Sequence, residues 1–370
     1  MGLFDTRPKN TRKDLYDREN ELKLFREGIR NCRPIILLLG SRRTGKTSLL
    51  FVGLNEYGDI YSVIDCRAFE EKVNITYREF IEIFTKSLSM LIRKAEGISR
   101  YFSRIRGIKV AGFEIEFKNS PNNVYLIDVF EKLNEWGEEN NKCIVIAFDE
   151  AQELSKLRGV RFLPLLAYIY DNLRHISLIL TGSQIGLLYR FLKRYDPSSP
   201  LYGRAMLEVR LDKFTYEQSL DFLIKGFEEY NVKPDMRILE YAVDVFNGIP
   251  GWLTLFGYRG LNEELKSRLV EEVLEEASKL AISEYRNFLS LRPIAAKRYT
   301  TILYAIAEGY NTWSSIKRYL EIKEDKRISD YLYTNLIKNL VDAGFIERME
   351  DKYIILDPVL KHAFHRKLIH

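Results

Sequence analysis

Residues 40–50, GSRRTGKTSLL, follow directly on the apolar run PIILLL. Gly40, Gly45, Lys46 and Thr47 satisfy G-x-x-x-x-G-K-[ST], and the pattern stands between a β-rich run and a helical one, the context it requires. Such a loop constrains the fold more than any bulk property. Its glycines let the backbone wrap an anion, and the amides opening the next helix point at that anion. The spacing therefore predicts a phosphate cradle formed by Gly40, Ser41, Arg43, Thr44, Gly45, Lys46, Thr47 and Ser48. Lys46 is expected at the β- and γ-phosphates of a nucleotide and Thr47 on a Mg²⁺ ion. Arg42 and Arg43 are expected to point off the loop's outer surface, toward a neighbouring unit.

The chain around this loop reads as α/β, a P-loop NTPase core with a parallel sheet. Runs at 35–39, 60–65, 144–148 and 177–181 are apolar on both faces, as interior parallel strands are. Helical patterns at 76–94 and 123–139 lie between them, and GIKVAGFEIEF alternates strictly, as a hairpin or an edge strand would. From about residue 211 the pattern becomes helical, with segments at 215–229, 235–246 and 261–290. Thr215 and Gln218 hold capping-box positions at the first of these. Helices at 300–308, 313–320 and 329–343 followed by GFIERMEDKYIILD give the layout of a winged helix. In its third helix Leu332, Leu336 and Leu340 are expected inside, with Tyr331, Thr334, Asn335, Lys338 and Asn339 outward. The expected organisation is an N-terminal tail over 1–14, the core over 15–210, a small helical lid over 211–290 and the winged helix over 291–370.

A second chemical element is CIVIAFDEAQ, whose strand is expected to end beside the strand that carries the phosphate loop. Asp149 would hold the Mg²⁺ shell, and Glu150 would orient or deprotonate an attacking water. ISLILTGS places the hydroxyls of Thr181 and Ser183 where a γ-phosphate could be sensed from the next strand. SSPLYGRA puts Arg204 in a shaped loop, as an arginine finger or a structural salt bridge, with Arg174, Arg190 and Arg194 as rivals.

Composition narrows the class. A hydrophobic share of 46% is ample for packed cores, and no apolar run approaches the roughly 18–20 residues needed to span a bilayer. A cytoplasmic protein is expected. Cys32, Cys66 and Cys143 are isolated in apolar surroundings and read as buried free thiols. The four histidines form no metal motif. Of the net charge of +5, most lies in residues 291–370, which carry 14 Lys+Arg against 10 Asp+Glu. That excess suits an anionic partner or a solvated surface equally well.

In order, YDRENEL, GSRRTGKTSLL, IVIAFDEAQ, ILTGS, PLYGRA, GIPGW and a closing winged helix resemble the archaeal P-loop ATPases of the STAND class. These are relatives of AAA+ proteins and of Orc/Cdc6-type initiators. The resemblance implies an ATP- and Mg²⁺-dependent ATPase acting as a molecular switch, or an ATP-licensed DNA-binding regulator. It places Arg18, Glu19, Glu21 and Leu22 near the adenine, and Gly248 and Pro250 of the lid over the base. ATP rather than GTP rests on the resemblance alone. Ser183 departs from the arginine that many STAND proteins carry there. DNA or protein at the winged helix, and a homo-oligomer, are the partners it allows.

Overall fold

The computed structural model of the chain describes residues 2–58, 60–105, 108–111, 114–117 and 126–369, and of 108–111 and 114–117 the backbone alone. Along the first half run α1 (Glu19–Arg30), β1 (Ile35–Gly40), α2 (Lys46–Tyr57), β2 (Tyr61–Asp65), α3 (Tyr77–Lys94) and α4 (Ser99–Phe102). The antiparallel pair β3 (Ile108–Ala111) and β4 (Glu114–Phe117) follows, then α5 (Leu126–Glu139), β5 (Ile144–Asp149), α6 (Phe162–Asn172), β6 (Ile176–Gly182), α7 (Ile185–Leu192) and β7 (Leu207–Leu211). The expected start of α5 at 123 and the turn at residue 112 lie outside the described residues.

Five strands form one parallel sheet in the order β2-β5-β6-β1-β7. Because β1 is apolar throughout, both its faces need cover. Ile36 and Leu38 pack with Phe25 of α1 and Leu50 of α2, while Ile35, Leu37 and Leu39 join Phe84 of α3, Phe130 of α5 and Leu166 of α6. Each such side chain, none more than 1% exposed in β1, contributes about 2 kcal/mol on burial. Two expectations change here. The acidic strand β5 is not the neighbour of β1, since β6 lies between them. The edge strand β7 was not foreseen, because LEVRL mixes charge into its apolar pattern, as an edge position tolerates.

The cysteine expectation is also corrected. Cys32 and Cys143 form a disulfide with their Cα atoms 5.8 Å apart, and only Cys66 is free and buried. One follows α1 and the other precedes β5, so the sheet brings together residues 111 apart in sequence, which spacing alone cannot reveal.

Beyond the sheet lie α8 (Tyr216–Glu228), α9 (Met236–Phe246), α10 (Pro250–Gly260) and α11 (Ser267–Ser290). Thr215 caps α8 with Gln218 in a reciprocal capping box. Where the sequence offered only a turn at GIPG, Pro250 opens α10 from its first-turn position. The N-terminal segment packs against this bundle through Leu3 and Phe4. Phe4 meets Phe222 and Phe227 edge-on at 5.7 and 4.8 Å, and Lys9 Nζ donates to the carbonyls of Gly2, Leu3 and Asp5.

The chain closes with α12 (Ala296–Ala307), α13 (Trp313–Glu324), α14 (Asp330–Asp342), β8 (Ile346–Met349), β9 (Lys352–Ile355) and α15 (Pro358–His365). Its apolar core is continuous with that of α8–α11, for Tyr285 of α11 meets Phe345 and Phe364 edge-on at 5.3 and 5.4 Å. In α14 the buried stripe is Tyr333, Leu336, Ile337 and Leu340, whereas Leu332 is 37% exposed. Leu332 lies one position short of that stripe, so the helix is turned away from the expected i, i+4 row.

Asn339, expected outward, is held: it donates to Tyr299 Oη at 2.9 Å and accepts from Arg190 of α7 at 3.2 Å. Arg190 also pairs with Asp342. A Cβ on Gly186 would come within 2.4 Å of the Asp342 Cα, so the end of α14 rests directly on α7. Among the described residues no helix is long and apolar enough to cross a membrane.

Candidate active site at the phosphate loop

The loop leaving β1 turns through two left-handed residues, Arg43 (φ 64) and Gly45 (φ 95), before α2 begins at Lys46. Successive amides in such a turn make a concavity for an anion, and the start of α2 adds its dipole. The Lys46 side chain folds back on this concavity, donating to the carbonyls of Gly40 and Ser41 at 2.9 and 2.8 Å. Burial pushes its ammonium below the usual lysine range, against the pull of Glu150 and Asp149. Phosphate oxygens in the concavity would add to that pull.

The acidic pair is set by β6. Thr181 donates to Asp149 Oδ1 at 2.5 Å and accepts the N–H of Glu150 at 2.9 Å. Asp149 Oδ2 in turn accepts from the Thr47 hydroxyl at 3.2 Å. Burial raises the Asp149 carboxyl, opposed first by the Thr181 hydrogen bond. Asp149 and Thr47 thus present two hard oxygens side by side. Among the described residues no group of three or more His, Cys, Asp or Glu could hold a metal. Two protein oxygens completed by phosphate and water is the way Mg²⁺ is usually held.

Glu150 sits in a left-handed conformation at φ 54, an uncommon state for a non-glycine residue and one that clusters at functional sites. Its Oε2 receives three hydrogen bonds: from Gln152 Nε2 at 2.7 Å, Ser183 Oγ at 2.7 Å and Ser183 N at 3.0 Å. Burial acts to raise this carboxyl, but the Lys46 charge and those hydrogen bonds outweigh it and hold it below the usual glutamate range. Gln152, quoted in DEAQ but given no role there, is a site residue the sequence reading missed. Its Oε1 is buried with no protein partner.

These groups open on a cleft of about 470 Å³. Phosphate-loop residues Thr44 to Ser48 line it together with Glu150, Ser183, Arg18, Phe214 and Pro250. Arg18 stacks over the Phe214 ring at 4.9 Å, pairs with Glu21 at 2.9 Å and donates to the Asp212 carbonyl at 2.7 Å. Ser48 accepts the N–H of Lys9 at 3.0 Å, which lays the N-terminal segment along the rim. At the lid, Gly251 N donates to the Arg43 carbonyl at 3.0 Å, and a Cβ on Gly251 would lie 2.6 Å from that of Arg43.

Three arginines of the sequence reading are held by carboxylates. Arg204 is tied to Asp171 through two contacts at 3.0 and 2.5 Å and is not in the cleft wall, so the salt-bridge reading is the one realised within the chain. Arg42 and Arg43 do not point off the loop's outer surface alone, for both line the cleft and both reach Glu284 of α11. Glu284 carried no signal in the sequence, being an ordinary acidic residue on a long helix.

A chain built this way is a P-loop ATPase carrying a winged helix at its C-terminal end. Residues 15–256 match the model of an ATPase domain predominantly from Archaea, and the chain belongs to that family. Residues 293–356 match the C-terminal winged helix-turn-helix domain of MCM proteins. The chain is similar to the Walker-type ATPase PABY2304 of Pyrococcus abyssi, with 38% identity over 98% of this chain and 99% of that one, at a TM-score of 0.82. It shares its fold with the ORC2 protein of Aeropyrum pernix (14% identity, 98% and 95% covered, TM-score 0.61). The same holds for Cdc6p of Pyrobaculum aerophilum (16% identity, 99% and 98% covered, TM-score 0.50). No curated protein matches the chain.

Proposed function

We propose that the chain is a Mg²⁺-dependent, ATP-hydrolysing switch in which the nucleotide sets the positions of the helical lid and the winged helix. On this reading Thr47 and Asp149 hold Mg²⁺, Lys46 and the loop amides hold the β- and γ-phosphates, and Arg18 and Pro250 flank the base. Mg²⁺ would supply charge neutralisation between the phosphates. Water attacks the γ-phosphorus, the bond to the ADP oxygen breaks, and the water proton passes to Glu150. The order of motifs supports a place among STAND-class and AAA+-related switches.

The observation that carries the reading is the position of Ser183. Its N–H and hydroxyl hold Glu150, while its carbonyl lies 3.6 Å from where a Cβ of Gly344, just past α14, would sit. On this reading Ser183 is the link through which a movement of Glu150 toward a substrate water reaches the seat of the winged helix. The Arg190–Asp342 pair fixes that seat. Asp342→Arg is expected to undock α14 and to raise steady-state ATP turnover about fivefold or more, the lower range of measured couplings. Arg190→Asp combined with Asp342→Arg restores the pair and the wild-type rate. Equal turnover in all three proteins would refute the switch.

A second reading, an ATP-licensed DNA-binding regulator, is favoured by the winged-helix match and by the exposure of Tyr331, Thr334 and Lys338 on α14. Duplex binding that weakens steeply with salt and depends on ATP would support it, and no binding at low salt would exclude it. Arg204 enters only as a group offered to a second copy of the chain, in a homo-oligomer.

A further inference from the structure

Among the described residues seven cations line the cleft: Arg7, Lys9, Arg18, Arg42, Arg43, Lys46 and Arg67. Their existing bonds separate them. Arg7 and Arg67 are each clamped by a carboxylate two residues away, Asp5 at 2.7 Å and Asp65 at 2.6 Å. Lys9 is spent on three backbone carbonyls, and Arg18 on Glu21, a carbonyl and the Phe214 ring. Arg43 makes a two-pronged pair with Glu284 at 3.0 and 2.5 Å and stacks on the Trp252 ring at 3.9 Å. Of the arginines lining the cleft, Arg42 has the longest ion pairs, 3.2 Å to Glu284 and 3.4 Å to Glu70.

Its surroundings are also distinctive. Arg42 stands in the field of Glu284, Glu150 and Glu70, and its charge is felt at Lys46. It lines the same cleft as Lys46, the phosphate-binding lysine, and Glu150, the proposed base. A guanidinium held loosely by carboxylates exchanges readily to phosphate, which offers it a matched pair of acceptors and greater charge. Glu284 keeps its Arg43 pair after such an exchange, so no buried charge is stranded.

We propose that Arg42 is a second cation, beside Lys46, that meets the terminal phosphate of ATP within the same chain, leaving Glu70 and Glu284 to do so. This rests on the cleft being the ATP site. It gives the chain an arginine in cis without Arg204, and it makes Arg42 a residue that distinguishes tri- from diphosphate. Glu284 acts as its holder on the lid, so the exchange also loosens one of two bonds between the phosphate loop and α11.

The test is nucleotide binding by calorimetry with ADP and with ADPNP, on the wild type, Arg42→Gln, Arg42→Lys, Arg67→Gln and Lys46→Ala, alongside ATP turnover. Arg42→Gln is expected to leave the ADP Kd within about twofold and to weaken ADPNP about tenfold or more, the loss of one charged hydrogen-bonding pair. Turnover falls with it by about a hundredfold. Arg42→Lys recovers part of the ADPNP affinity, and Arg67→Gln keeps the wild-type ratio of the two constants. If Arg42→Gln weakens both nucleotides equally, or neither, Arg42 is structural and the proposal is overturned. Wild-type affinities in Lys46→Ala would overturn it together with the assignment of the cleft.

Discussion

Glu150 illustrates what side chains in this cleft are arranged to do. Three donors on one oxygen hold it ionised and away from full basicity, so its activity depends on being released. Glu150→Gln is expected to bind ATP as the wild type does and to lose about 10²- to 10⁴-fold in turnover, measured by phosphate release under saturating ATP. Gln152→Ala removes one donor and the unpaired Oε1, and a smaller loss of about tenfold is expected, again with binding intact. Lys46, Thr47, Asp149 and Glu150 were legible because local rules tie each to a strand end or a helix start. The carboxylates that Arg204 and Arg42 meet were not. A guanidinium reaches several ångströms from its backbone, and which carboxylate captures it is decided by elements far away in sequence, here Asp171 and Glu284.

At the level of elements, the parallel strands with purely apolar faces and the capped helices announced themselves, whereas β7 and α10 did not. The first is an edge strand with charged residues, and the second opens with a Pro-Gly pair that reads equally as a turn. The disulfide joins the end of α1 to the start of β5 and closes a loop of 111 residues. In the chain-entropy model such a closure stabilises by about 4–5 kcal/mol. Reduction under native buffer is therefore expected to lower the Tm clearly, and an unchanged Tm would show the bridge to be energetically idle.

Asp357, at the N-cap of α15, accepts from Val359 N at 2.9 Å and from Trp252 Nε1 at 3.1 Å. Burial raises its carboxyl above the usual aspartate range, with the Arg43 charge and those hydrogen bonds opposing. A carboxyl raised in the fold costs stability as pH climbs from its unfolded value through its folded one, and the full cost remains above that. Asp357→Asn keeps both hydrogen bonds without the charge. It should gain about 1–2 °C in Tm at pH 8 relative to wild type and gain nothing at pH 3, where both side chains are neutral.

Across the whole molecule, among the described residues, two bridges run from the cleft to residues 291–370. One runs from Arg43 through Trp252 to Asp357. The other runs from Glu150 through Ser183 to the end of α14 and its Arg190–Asp342 pair. Neither was legible beforehand, since each depends on how three units pack together and not on any one of them. A shared apolar core packs α11 and the winged helix together as one unit. The most direct measurement is a distance distribution between spin labels at Tyr202 on the sheet side and Tyr331 on α14, both exposed. It should be taken with Mg²⁺–ADPNP, with Mg²⁺–ADP and without nucleotide, in the wild type and in Lys46→Ala. A wild-type distribution that shifts between ADPNP and ADP, and that stays fixed in Lys46→Ala, is the predicted result. One distribution shared by all states of the wild type would contradict a nucleotide-driven switch.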